Sequence, residues 1–593
     1  MNKILLIILS ITLVMNKSQA QKTKEDKIAI YQLFTRIFAN QNTTNKFNGT
    51  KEENGVTKFN DINNAALKSI KSLGITHVWY TGVIEHATMT DYSAFGIKKD
   101  HPETVKGIAG SPYAIKDYYD VNPDYAVNVE NRMAEFEALL ERTHKQKMKV
   151  LIDFIPNHVA REYNSDAKPK GVKDFGAKDQ KDGSFQNQNN FYYIANSSFK
   201  IPEGVKVPIS FEGEYIETPA KATGNDVFNA NPSINDWFET IKLNYGVDYL
   251  NGKNKVFEPL PDTWKKMTDI LLFWSAKGVD GFRCDMAEMV PVEFWAYAIP
   301  KVKAKYPEVI FIAEVYNPAE YRNYIFNGKF DYLYDKVGLY DALRRLIEGH
   351  GNAMDISRVW QNESGDFSNH MLRFLENHDE QRIASEPFGK TPESAFAAMM
   401  LSATLHTGPI MVYYGQELGV KPVMAEGFQG NDGRTTIFDY WGLPELQNWI
   451  KGGEFNVKNL SNEELKIRSF YEATLKFAQK QEAIKNGGFH DLQYLNFESQ
   501  GYDTTKCYSY LRFSGKEVLL FVYNFDLQNN TFLKVKLPES VLNEVLNKKS
   551  DKVLTAEEAF EGNEKFKISV SGIVNEGLPL EVNPNSFRIF RIK

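Results

Sequence analysis

The chain has 593 residues, with 70 Lys and Arg against 76 Asp and Glu, a formal net charge of -6 and 42% hydrophobic residues. That length calls for two or three domains around at least one large core, and the mildly acidic balance offers no basic face for nucleic acid. Two cysteines exclude a disulfide scaffold and a four-thiolate zinc site, while 13% aromatic residues suit both core packing and the binding of neutral, ring-shaped ligands.

Taken in chain order, Met1-Asn2-Lys3, an apolar run over 4–15 and Ser18-Gln19-Ala20 predict a secretory signal peptide, residues 1–20. The run is too short to span a bilayer, so the mature chain is expected to be exported, periplasmic or extracellular, with no membrane span. From 21 to 158 the pattern alternates. Strands are predicted over 28–34, 77–83 and 149–155, and helices over 64–73 and 131–146. Residues 159–258 break the rhythm with a stretch rich in Asn, Gln, Gly and aromatics, which reads as an inserted subdomain. Its segment 184–199 (SFQNQNNFYYIANSSF) is a candidate sugar platform, or else an irregular subdomain surface. From 259 to 485 the alternation resumes, with a helix over 261–277 and strands over 279–285, 309–315, 330–334, 371–376 and 410–414. Eight strands separated by helical segments predict an α/β fold, a closed (β/α)8 TIM barrel. Over 486–593 short alternating segments at 506–513, 517–524, 565–571 and 586–592 predict a C-terminal antiparallel β-sandwich. No internal repeat or coiled-coil heptad is present, and the oligomeric state is left open.

In such a barrel the chemistry sits at the C-terminal strand ends. The third strand ends in Asp153-Phe154-Ile155-Pro156-Asn157-His158, the fourth in Gly281-Phe282-Arg283-Cys284-Asp285, the fifth in Ala313-Glu314-Val315 and the seventh in Glu376-Asn377-His378-Asp379. Arg283 and Asp285 are two apart, so both face the barrel mouth, where a guanidinium keeps a carboxylate nucleophile ionised. Glu314, flanked by Ala313 and Val315, is placed to hold a proton and act as the acid. Cys284, between them in phase, points outward to the helices, and a disulfide to Cys507 is not favoured.

These segments resemble the signature regions of the α-amylase superfamily, glycoside hydrolase family thirteen: DFIPNH the first, GFRCD the second, AEV the third and ENHD the fourth. Residues 74–83 (GITHVWYTGV) and 408–417 (GPIMVYYGQE) resemble its second- and eighth-strand motifs. The resemblance covers about 28–485. It implies Asp285 as nucleophile, Glu314 as acid/base and Asp379 as the residue holding sugar hydroxyls in the distorted transition state. It further implies Arg283 orienting Asp285, His158 and His378 binding hydroxyls, and Tyr113 as a stacking tyrosine with Asp117 four residues on. Asn157 matches an asparagine that binds calcium in many amylases and is purely structural in calcium-free relatives. Calcium is therefore the one cofactor raised, and no organic cofactor is expected.

The sequence departs from the family where starch-degrading members carry Lys-His after the nucleophile; here Glu288 and Met289 stand. The family's short motif near the end of the inserted domain is also missing, with VFNANPSINDW (227–237) in its neighbourhood. The expected function is a retaining α-glycoside hydrolase acting on α-1,4-glucans or maltooligosaccharides. A glucanotransferase, an α-1,6-acting debranching enzyme or glucosidase, and a catalytically silent glycan-binding protein stand as alternatives.

Overall fold

The computed structural model describes residues 27–422, 432–515, 517–546 and 552–593. The predicted signal peptide lies outside the described residues.

Eight parallel strands form the central sheet: β1 (Ala29–Phe34), β2 (His77–Thr81), β3 (Lys149–Phe154), β4 (Gly281–Cys284), β5 (Ile310–Ala313), β6 (Tyr332–Tyr334), β7 (Met371–Leu372) and β8 (Ile410–Tyr413). They pair in the order β7-β6-β5-β4-β3-β2-β1-β8. A parallel bridge between Arg373 and Ile410 then joins the last edge to the first and closes the barrel. Alternate residues from successive strands fill the interior: Ile30, Trp79, Leu151, Ile312, Tyr334, Leu372 and Met411. The opposite parity packs outward against helices such as Asn64–Ser72, Arg132–Lys145, Asp262–Ala276 and Val292–Lys305. Helix Phe396–Thr404 is buried along nearly its whole length, because the barrel covers one side and the C-terminal domain another.

The inserted region is held by short antiparallel ribbons. His158–Ala160 pairs with Thr240–Lys242, and Tyr193–Ile194 pairs with Ala220–Lys221. The platform reading of 184–199 is corrected here: Phe191, Tyr192, Tyr193 and Phe199 are all at most 5% exposed, with Phe191 and Tyr193 packed into the barrel's cluster, so these rings are not displayed on the surface.

The C-terminal domain is a sandwich. Its larger sheet runs β9-β10-β11-β16-β13-β14, from Gly488–Asp491, Cys507–Ser514, Glu517–Asn524, Ser586–Ile592, Val553–Glu558 and Lys565–Ser569. The smaller sheet pairs β12 (Thr531–Val535) with β15 (Leu578–Val582). β12, β13 and β15 lie outside the predicted strands: each is only five or six residues long, and although Leu578–Val582 alternates cleanly, the exposed Phe532 and Val553 blur the period in the other two. The predicted strand at 565–571 ends at Ser569, whose hydroxyl accepts from Gly572 N (3.0 Å) and caps a short helix instead. Cys284 and Cys507 are both free and buried, each in a different core cluster. Among the described residues no helix is long and apolar enough to cross a membrane.

Candidate active site

Sheet register builds the centre of the barrel mouth. Arg283 lies level with Asp153 on β3 and Ile312 on β5, and Cys284 lies level with Ala313. One step further, Asp285 and Glu314 therefore stand side by side. With period-two alternation, Gly281, Arg283 and Asp285 face inward while Phe282 and Cys284 pack into the outer core.

Arg283 is fully buried, and its guanidinium is the hub of the site. Nη1 donates to Asp285 Oδ1 at 2.6 Å, Nη2 lies 2.7 Å from Glu314 Oε2, Asp153 Oδ1 is 3.7 Å from Nη1, and Nε donates to the Tyr334 hydroxyl at 3.2 Å. The rings of Trp79, Tyr113 and Tyr334 surround it at 5.4–5.5 Å. Burial works against its charge, but Glu314, Asp285 and the neighbouring tyrosines hold it more firmly protonated than a free arginine. For Asp285 burial dominates. It pushes the carboxyl well above the usual range, Arg283 opposes this, and the Glu314 charge adds to it. Glu314 is held from both sides, accepting from Tyr316 Oη at 2.5 Å and from the Met286 amide at 2.8 Å. Met286 sits in the left-handed region (φ 42°), a conformation that costs a non-glycine residue about 1 kcal/mol or more, directly after Asp285.

The third carboxylate comes from the segment after β7. The Asn377 side chain accepts from the amides of Asp379 (2.8 Å) and Glu380 (3.0 Å), an Asx turn that sets the direction of Asp379. Burial would raise the Asp379 carboxyl, but His378 at 3.0 Å, with Arg283 and Arg434 beyond, draws it below its ordinary value. Gln32 donates to His378 Nδ1 (2.8 Å), so Nε2 is the protonated nitrogen, facing the Tyr113 hydroxyl (2.5 Å) and Asp379. Tyr113 stacks on the His378 ring at 5.1 Å. His158 begins the ribbon into the inserted region, against Trp237 at 5.3 Å. Burial first, then the Lys242 charge, pushes it down to about 3, so it is a neutral hydrogen-bonding group at working pH. Gly224 packs close here, since a Cβ would come within 2.5 Å of Thr240 Oγ1 and about 3 Å of the His158 ring.

Asn157 Nδ2 donates to Gly224 O (2.8 Å), and its Oδ1 accepts from the ammonium of Lys242. Asp117 braces a loop, accepting from Tyr119 N (2.8 Å), Ser165 Oγ (2.6 Å) and Ala167 N (2.9 Å). Burial pushes it up to about 6, and the buried Glu85 opposite is raised too, by burial and by the Asp117 charge. Glu288 accepts from Asn317 N (3.1 Å) at the rim.

The structure thus brings Asp285, Glu314, Asp379, Arg283, Tyr113 and His378 into one cluster, with His158 and Asn157 at its edge. Asp153, Trp79, Tyr316, Tyr334 and Lys242 complete the site without a role legible from the sequence motifs. Trp79 and Tyr334 carried a usable signal, being polar aromatics at inward positions near the ends of β2 and β6; Lys242 carried none, because its partners are remote in sequence.

Fold and mouth together define a class: a (β/α)8 enzyme with a guanidinium-bridged carboxyl pair on adjacent strands and a third carboxylate beyond. The family profile described as "Alpha amylase, catalytic domain" matches residues 32–487. The chain therefore belongs to the α-amylase family, glycoside hydrolases of the α-amylase type. Alpha-amylase 3 of Dictyoglomus thermophilum is 23% identical over 393 residues, 63% of this chain and 68% of that protein. Neopullulanase 2 of Thermoactinomyces vulgaris is 20% identical over 406 residues, covering 66% of this chain and 56% of its own length. Among solved structures, a maltogenic α-amylase of Thermotoga neapolitana superposes with a TM-score of 0.60 at 21% identity, over 96% of this chain and 99% of that one, a likeness of fold.

Proposed function

We propose that this protein is an exported, retaining α-glycoside hydrolase acting on α-1,4-glucans or maltooligosaccharides. The observation that carries the reading is the suspension of Asp285 and Glu314 from the two arms of one guanidinium. A shared planar fork keeps two carboxyls near each other, which favours the ~5–5.5 Å spacing of a retaining pair over the wider gap of an inverting one. In the first step the Asp285 carboxylate attacks the anomeric carbon while Glu314 gives its proton to the departing glycosidic oxygen. In the second, Glu314 takes a proton from water, the water oxygen attacks the anomeric carbon, and the bond to Asp285 breaks. Asp379, kept ionised by its cationic neighbours, holds ring hydroxyls and favours the positively charged transition state. Neutral His158 and the Nε2 proton of His378 serve as hydrogen-bond partners for the same sugar, with Tyr113 against it. Export rests on the character of residues 1–20. The α-1,4 substrate class rests on the relatives named as α-amylases.

Glu288 and Met289 favour a second reading, transfer or α-1,6 cleavage, because they alter the leaving-group side where a long glucan would be gripped. Chromatography of products from amylose, maltoheptaose, pullulan and isomaltose separates these outcomes. Short maltooligosaccharides from the first two are expected, whereas longer transfer products, or cleavage confined to pullulan or isomaltose, would select the second reading. Asp285→Asn and Glu314→Gln should each lower turnover by ~10²–10⁴-fold or more. Near-normal turnover in either variant would overturn the assignment.

A further inference from the structure

Three chain segments beside the mouth converge on one buried ammonium. Lys242 lies opposite His158 in the ribbon that opens the inserted region and is 1% exposed. Its Nζ donates to Asn157 Oδ1 and to the Met289 carbonyl (3.3 Å), and it forms an ion pair with Asp226 Oδ1 at 2.7 Å. Asn157 follows β3, Asp226 belongs to a turn of the inserted region, and Met289 lies in the loop after Asp285. The Tyr249 ring closes over the ammonium at 5.2 Å, and its hydroxyl reaches the same Met289 carbonyl at 3.4 Å. A carboxamide, a carboxylate and a carbonyl are the hard oxygen donors that suit calcium, but that ion takes six to eight oxygens. An ammonium has three N–H donors, and three oxygens face it here.

We propose that Lys242 is the resident cation of this position, holding the end of β3, the inserted region and the loop after Asp285 together and excluding a metal ion from Asn157. It is a positioning residue. It acts through Asn157, whose Nδ2 stands 3.2 Å from His158 Nδ1, and through Met289, four residues beyond Asp285. Burial lowers the affinity of Lys242 for its proton, and Asp226 opposes that loss.

The test uses the full chain, stripped of metal with a chelator, then titrated with calcium chloride by calorimetry and followed by thermal unfolding. Wild type and Asp226→Asn should give the same calcium isotherm, because no calcium binds through Asp226. Lys242→Ala should melt several degrees lower in chelator and regain stability as calcium is added. That recovery should vanish when Asn157→Ala is combined with it. Lys242→Met keeps the stem and deletes only the charge, so it should also melt lower but without calcium rescue. A wild-type calcium isotherm abolished by Asp226→Asn would overturn the proposal. So would Lys242→Ala or Lys242→Met melting like wild type in chelator.

Discussion

Arg283 faces two carboxyls that need opposite protonation states for the proposed chemistry. Its charge restrains a pKa that burial drives upward in Asp285, so activity should fall on the acid side as pH drops through that raised value. Arg283→Gln removes the restraint. Asp285 then titrates higher still, and the acid limb of the kcat/KM profile should move to higher pH; an unmoved limb would show that Arg283 does not govern Asp285. The same substitution leaves buried carboxyls unpaired, at a cost of ~3–5 kcal/mol read as a lower Tm. The linkage to stability has two signs in this site. Protonation of Asp285 stabilises the fold at low pH, and that contribution is lost as pH rises through its raised folded value. Asp379 contributes above the ordinary carboxylate range and loses its contribution as pH falls through its lowered value.

At the scale of elements, β4 shows how a strand aims a side chain. Its first residue is Gly281 because the inward position there is already filled: an added Cβ would lie 2.6 Å from Ile310 Cγ1 and 2.7 Å from Leu151 Cδ2. Gly281→Ala should push β4 away from β3 and β5, costing ~1–3 kcal/mol by denaturant titration and lowering kcat through misalignment of Arg283 two residues on. Unchanged stability would mean that the neighbours can yield. The eight barrel strands were legible because each is an apolar run bounded by turns. The predicted strand over 371–376 shortens to Met371–Leu372, with Arg373 still bridged to Ile410; beyond it the backbone leaves the ladder, and Glu376 turns to buried partners, Arg382 (3.0 Å) and Ile383 N (2.6 Å). Charge pairing of that kind has no periodicity to read.

Across the whole molecule, the sandwich is part of the barrel's core rather than an appendage. Tyr508, Tyr510, Leu519, Phe521, Tyr523 and Ile589 join the barrel cluster, while the alternate residues Leu511, Val518, Leu520, Val522 and Phe590 face the sandwich interior. Arg512 donates to the carbonyls of Leu405, Ala483 and Ile484 at 3.1 Å and of Gly487 at 2.9 Å, fastening β10 to the end of the barrel. Scanning calorimetry should therefore show the two domains unfolding together. Arg512→Ala should destabilise both by ~1–3 kcal/mol, since it strands buried carbonyls, and a chain ending at residue 487 should not fold stably. Two well-separated transitions would contradict this coupling.

Local pattern determined the architecture of this protein: apolar runs at period two and 3.6, Gly at helix ends, and ionisable residues grouped where strands stop. It determined the catalytic candidates too, because Arg283 and Asp285 share one strand and Glu314 ends the next. Only the tertiary structure decided what meets them. Lys242 reaches Asn157 across 85 positions, Gln32 reaches His378 across 346, and the aromatic stretch at 184–199 turns inward instead of out. Such contacts depend on which segments the closed barrel brings to its mouth, and the forces that make them, desolvation and charge pairing, act through space and leave no spacing in the chain.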